Sequence, residues 1–156
     1  MNILARTDLL IAAEDIDGIL ALDDNAFIGI GLYGVYDKRY TANPALLNEV
    51  QLDLLLSMHL ENAGQSDSIL AFLQEWFPQY QQRVVVALER IGVVESAKYI
   101  EQAIALLPID NQWFFEVADE NSQALLEDID RKFSGYPDGS MPDLYRAYAE
   151  RHRELL

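Results

Sequence analysis

The sequence predicts an all-α fold of about six to eight helices. Apolar residues recur at helical spacing almost throughout, alternating β patterns are scarce, and capping or helix-ending residues separate the apolar runs. Even the β-branched triplet Val84-Val85-Val86 stands inside a helical frame. At 156 residues the chain has the length of one domain, spanning 1–156, given roughly 100–200 residues per domain. A domain of that size buries about two-thirds of the surface its unfolded chain exposes.

Asn43-Pro44 sets the first boundary. It reads as an N-cap with proline at the first helical position, where a missing N–H costs nothing. Leu47, Val50, Leu54 and Leu55 follow at helical spacing, and Asn62-Ala63-Gly64 reads as the end of that helix. Ser66 then caps a short helix carrying Ile69, Leu70, Leu73 and Trp76, which stops before Pro78. Val84, Ala87, Leu88 and Ile91 line the next helix, with Gly92 as a left-handed terminator. Ala97, Ile100, Ile104 and Leu107 repeat the pattern, and Pro108 closes it. Beyond Pro108, Trp113, Phe114 and Phe115 anchor an acidic segment, and Leu125, Leu126 and Ile129 give a helix its inner face. Gly135 to Gly139, GYPDG, is a dense turn signal. Ser140, three residues before Asp143 and followed by Pro142, opens a last helix lined by Leu144, Tyr145, Tyr148 and His152.

Charge is the abnormal feature. Twenty-six acidic side chains stand against 11 basic ones, a net of −15. Solubility of a small domain needs only about 2–8 units. Such a surface repels nucleic acid and anionic membranes and attracts basic partners, so direct DNA binding is not expected. With no cysteine, the chain has no disulfide framework, thiolate nucleophile or cysteine-type zinc site. Arg6 and Asp8 interrupt the N-terminal apolar stretch before it becomes a signal-peptide core. The uncharged run Asn25 to Tyr36 falls well short of the ~20 apolar residues of a membrane span. A soluble, cytoplasmic protein is expected.

Motifs for catalysis and cofactors lack their contexts. Gly29-Ile30-Gly31-Leu32-Tyr33-Gly34 is formally GxGxxG, but no strand of useful length precedes it and Pro44 follows too soon for a nucleotide-binding helix. Close helix packing explains the small residues better, and no cofactor is expected. Asp15-Ile16-Asp17-Gly18 and Asp128-Ile129-Asp130 resemble pieces of a calcium loop. Counting from Asp15 puts Leu20 at the glycine position, and counting from Asp128 puts Phe133 there, so no metal site is expected. His59 and His152 lie near apolar helix faces outside any HExxH frame, and no GxSxG elbow occurs. No catalytic residue is assigned.

The acids themselves remain. Asp110, Glu116, Asp119, Glu120, Glu127, Asp128 and Asp130 occupy a stretch with no basic residue. Glu14, Asp15, Asp17, Asp23 and Asp24 load the N-terminal region. A compact domain of this length is roughly 40 Å across, and ~40 Å of duplex carries about 24 phosphates. The 26 carboxylates match that inventory.

A resemblance sharpens this reading. His59 to Pro108 shows a turn with Asn62 and Gly64, a middle of Ala87-Leu88-Glu89-Arg90-Ile91-Gly92, and an end with Ala97, Ala103 and Leu107-Pro108. From Leu125 onward, Asp130, Phe133, Tyr136 and Tyr148 complete a second stretch. Together these resemble a bacterial DNA-mimic protein family, formerly a domain of unknown function, over a region of about 43–156. One departure is Ala63-Gly64 where the family has a double glycine. The resemblance implies an all-α domain, a homodimer, and an acidic surface that occupies the DNA-binding face of a transcription regulator. The expected function is therefore non-enzymatic: a DNA mimic sequestering a basic DNA-binding protein through the twelve acids named above. Carboxylates would stand where phosphates do, accepting arginine and lysine. An immunity- or antitoxin-like protein that neutralises a basic toxin enzyme is the runner-up. An enzyme built on a carboxylate cluster is third.

Overall fold

A computed structural model describes all residues, 1–156, and the predicted all-α class holds: no β-strand forms. The α-helices are α1 (Ile3–Ala13), α2 (Ile16–Leu20), α3 (Asn25–Ala42), α4 (Glu49–Ser66), α5 (Gln81–Ile91), α6 (Val94–Leu106), α7 (Phe114–Val117), α8 (Glu120–Ser134) and α9 (Met141–Arg151). Three-ten turns at Pro44–Leu46, Pro78–Tyr80 and Arg153–Leu155 and a π-helix at Ala71–Trp76 complete the chain. No helix is long and apolar enough to cross a membrane. The chain forms two compact units, Met1–Leu56 with Ser140–Leu156, and Ser57–Gly139.

In the first unit, α3 packs on α1, α2 and α9. The glycine cluster makes this possible: a Cβ on Gly31 would lie 2.7 Å from Ile19 Cγ2, and one on Gly34 would lie 2.6 Å from Ile11 Cδ1. Close helix packing is therefore the role of Gly31 and Gly34 in the GxGxxG pattern. Asp15 and Asp24 cap α2 and α3 by accepting from the Gly18 and Ala26 amides. Buried Asp53 accepts from the Tyr148 hydroxyl at 2.5 Å, tying α9 to α4.

The entry to α4 differs from expectation. Asn43 accepts from the Ala45 amide and opens only the three-ten turn. The α-helix begins at Glu49, where Asn48 and Gln51 exchange side-chain and backbone hydrogen bonds as a capping box. Both side chains also donate to the Leu155 carbonyl.

In the second unit, α6 packs against α5 and α8. Asn62-Ala63-Gly64 does not end α4, which continues to Ser66. Gly64 instead lets Phe133 approach, since a Cβ there would sit 2.9 Å from its ring. Ser66 donates back to the Asn62 carbonyl, and the following helical segment is capped by Ser68 and by Asp130, which accepts from the Ile69 amide at 3.0 Å. Gly92 ends α5 in the left-handed conformation at φ 97°. Val93 supplies no cap for α6, so Asp138 does: its carboxylate accepts from the Glu95 and Ser96 amides at 2.9 Å each and from the Ser96 hydroxyl at 2.8 Å. On α8 the inner face is Leu126, Ile129 and Phe133; Leu125, expected there, is 47% exposed. In α9, Ser140 caps through the Asp143 amide, as the pattern implied.

Candidate functional site

Acids are about equally frequent in the two units, but the second carries the larger net negative charge. Residues 57–139 carry 14 acidic against 5 basic side chains, net −9, and the other unit carries 12 against 6, net −6. Of the twelve acids singled out, ten are exposed; Asp128 and Asp130 are partly buried.

Glu116 stands on α7, between exposed Phe115 and Val117, while Phe114 beside it is fully buried. Asp110 precedes this turn and accepts weakly from the Gln112 amide at 3.3 Å. Asp119 caps α8 by accepting from the Ser122 amide at 2.7 Å, and that hydrogen bond holds its carboxyl below the usual range. Glu120 and Glu127 lie seven residues apart on α8, two turns along one side, away from the buried Leu126, Ile129 and Phe133.

Two members of the segment are committed elsewhere. Asp128 pairs with Arg131 and with Lys132, the latter at 2.8 Å, and its carboxyl is lowered chiefly by the Lys132 hydrogen bond. Asp130 is turned inward to the Ile69 amide, and burial raises its carboxyl. The outward charge of this segment is thus Asp110, Glu116, Asp119, Glu120 and Glu127.

The N-terminal acids lie in the other unit. Glu14 pairs with Arg39 at 2.8 Å, and that hydrogen bond lowers its carboxyl. Asp17 pairs with Arg153 at 3.2 Å. Asp23 and Asp24 line an open depression of about 520 Å³ with Asn25, Ser140, Asp143 and Arg146. There Arg146 donates to Asn25 Oδ1 and Asn25 donates to Asp143, both at 2.7 Å. Bases therefore offset this second acidic group more than the first.

No group of three or more His, Asp or Glu side chains is placed to hold a metal ion. His59 packs against the Phe77 ring at 4.9 Å between centroids, and His152 against Tyr148 at 4.7 Å.

One residue that matters to this surface escaped the sequence analysis. Gln74, only 8% exposed, donates from Nε2 to the Gln112 carbonyl at 2.8 Å and accepts from the Phe114 amide at 2.9 Å. A lone amide side chain in the apolar run from Ile69 to Phe77 was its only signal.

No curated protein and no solved structure matches the chain. A family model does: that of the DMP19-like proteins, over residues 45–152. This agrees with the resemblance carried by His59 to Pro108 and by the stretch from Leu125. The match takes in α4 to α9 whole, including α7 and α8 with their outward acids. The chain belongs to the DMP19-like protein family.

Proposed function

We propose that this protein is a non-enzymatic DNA mimic that sequesters a basic DNA-binding protein, such as a transcription regulator. The supporting observation is the set of outward carboxylates at Asp110, Glu116, Asp119, Glu120 and Glu127, on a stretch without a basic residue. Glu120 and Glu127 are about 10.5 Å apart along the helix axis. One DNA strand advances 3.4 Å per phosphate, so that interval corresponds to about three phosphates. Membership of the DMP19-like family supports the same reading.

The test is competition. The basic partner is captured from the native host and loaded with a fluorescently labelled duplex, and the chain is titrated in while anisotropy is followed. The chain should release the duplex, and release should weaken as salt rises, because exposed charges are screened. Glu116, Glu120 and Glu127, changed together to Gln, should melt like the wild type. Three exposed pairs at roughly 0.5 kcal/mol each correspond to about a tenfold loss of affinity. Unchanged competition by the triple variant removes this face from the interface. Competition that persists in high salt refutes phosphate mimicry.

A further inference from the structure

The acidic stretch also exposes large apolar side chains: Ile109, Phe115, Val117 and Leu125. Single exposed apolar residues are ordinary on a protein surface. These alternate along the chain with Asp110, Glu116, Glu120 and Glu127. Phe115 is the best supported of them. Its ring meets Phe114 edge-on at 5.2 Å and lies 6.0 Å from Trp113 between centroids. Phe114 is fully buried and Trp113 partly so, which makes Phe115, at 42% exposed, the outer member of a rooted aromatic cluster. Gln74 fixes the backbone on both sides of Trp113, through Gln112 and Phe114, and does so from the π-helix. π-Helical turns recur at functional sites. A segment already held in this way has little freedom left to lose on binding.

We infer that Phe115 is an apolar anchor within the acidic face. Its occupant is a basic protein helix that presents an apolar side chain between arginines or lysines. The inference rests on the DNA-mimic reading and deepens it. Duplex DNA is not a purely ionic surface: the thymine methyl in the major groove meets apolar side chains of DNA-reading proteins. A mimic offering carboxylates alone would leave those side chains against charge. Phe115 gives them an apolar contact while Glu116, Asp119 and Glu120 accept the cationic groups. The net charge of −9 on this unit selects the basic partner. A desolvated aromatic centre with a polar rim is also where most binding energy at protein interfaces concentrates.

Two helical peptides of about 18 residues test this. Both carry the same arginines; between them, on the same face, one has leucines and the other has serines. Each is titrated against the full chain, as wild type, Phe115→Ser and Phe115→Leu, at low salt and at about 0.15 M. The leucine peptide should bind the wild type roughly tenfold more tightly than the serine peptide. That excess should largely disappear in Phe115→Ser and persist in Phe115→Leu, with the salt dependence unchanged in both. Equal affinity of the two peptides for the wild type overturns the anchor and leaves the acidic reading standing. So does an excess that survives in Phe115→Ser. If neither peptide binds at low salt, the acidic reading itself fails and the anchor falls with it. Melting curves identify any variant that does not fold, and Phe115→Ala then takes the place of Phe115→Ser: loss of the excess supports the anchor, and its survival overturns it.

Discussion

Replacing Asp138 by Ala should destabilise the protein markedly, because this carboxylate caps α6 from a distant turn. It accepts three hydrogen bonds, at 2.9, 2.9 and 2.8 Å. The Glu95 amide is exposed and can turn to water, so its loss costs little. Ser96 is only 2% exposed, so its amide and hydroxyl are left without a partner. A buried donor stranded in this way costs roughly 1–3 kcal/mol, and loss of an N-cap costs about 1 kcal/mol. The combined loss is about 3 kcal/mol, with part of the cap and stranding costs overlapping. For a chain of this size each kcal/mol moves the melting temperature by roughly 2–4 °C, so the midpoint should fall by about 6–12 °C. Asp138→Asn keeps one acceptor oxygen and presents an N–H₂ to the other donors, so about half of the loss should remain. The assay is thermal and urea unfolding followed by far-ultraviolet circular dichroism, with a helical spectrum in both variants before melting. A midpoint for Asp138→Ala within about 1 °C of wild type refutes the cap. The consequence for function is indirect: α6 packs against α8, and α8 presents Glu120 and Glu127.

The two close glycines of α3 should respond differently to alanine. Gly31→Ala drives a methyl against Ile19, which is fully buried, and should cost roughly 1–3 kcal/mol. Gly34→Ala meets Cδ1, Cγ1 and Cγ2 of Ile11 at 2.6, 3.0 and 3.1 Å, but Ile11 is partly exposed and can shift. A helix-propensity gain of up to ~1 kcal/mol offsets part of the strain, so Gly34→Ala should cost less than Gly31→Ala in urea. Asp130 has its folded pKa raised above 3.8, mainly by burial, so its ionisation opposes folding above that raised value and the cost fades as pH falls through it towards 3.8. Asp130→Asn keeps an acceptor for the Ile69 amide, so it should match or exceed wild-type stability at pH 7, with the difference shrinking towards pH 4; urea midpoints at the two pH values check this.

Elements that carry their own signals were legible in the sequence. Gly92 in the left-handed region, Pro78 and Pro108 after their helices, and Ser140 before α9 each act within a few residues of where they stand. The misread boundaries depend on distant partners. Gly64 reads locally as a terminator, yet its smallness serves the Phe133 ring. Val93 gives no hint of a cap because the cap is Asp138, in a turn more than 40 residues onward. Asp130 looks like one more surface acid, but its 61-residue reach to Ile69 turns it inward. The pairing of Asp128 was readable, since Arg131 and Lys132 stand three and four residues later on one helix. The acidic window simply stopped one residue short of them. Gln74 could not be assigned a role from sequence, because its two partners come from the far side of α5 and α6.

Capping and mimicry make compatible demands on a carboxylate. An ionised carboxyl group offers about four lone-pair sites, and the Ser122 amide takes one of those on Asp119. The Ser122 hydroxyl takes another, the exposed carboxylate keeps sites for a partner, and these hydrogen bonds keep the group ionised to lower pH than a free aspartate. Phosphates on a duplex are fixed in space, so a side chain that imitates one gains from having its rotamer set before the partner arrives. Glu116, Glu120 and Glu127 have longer side chains that lose rotamer freedom when they bind. On the mimic reading, Asp119 therefore supplies the ordered charge at the start of α8, and the three glutamates extend it by adapting to the partner's arginines and lysines.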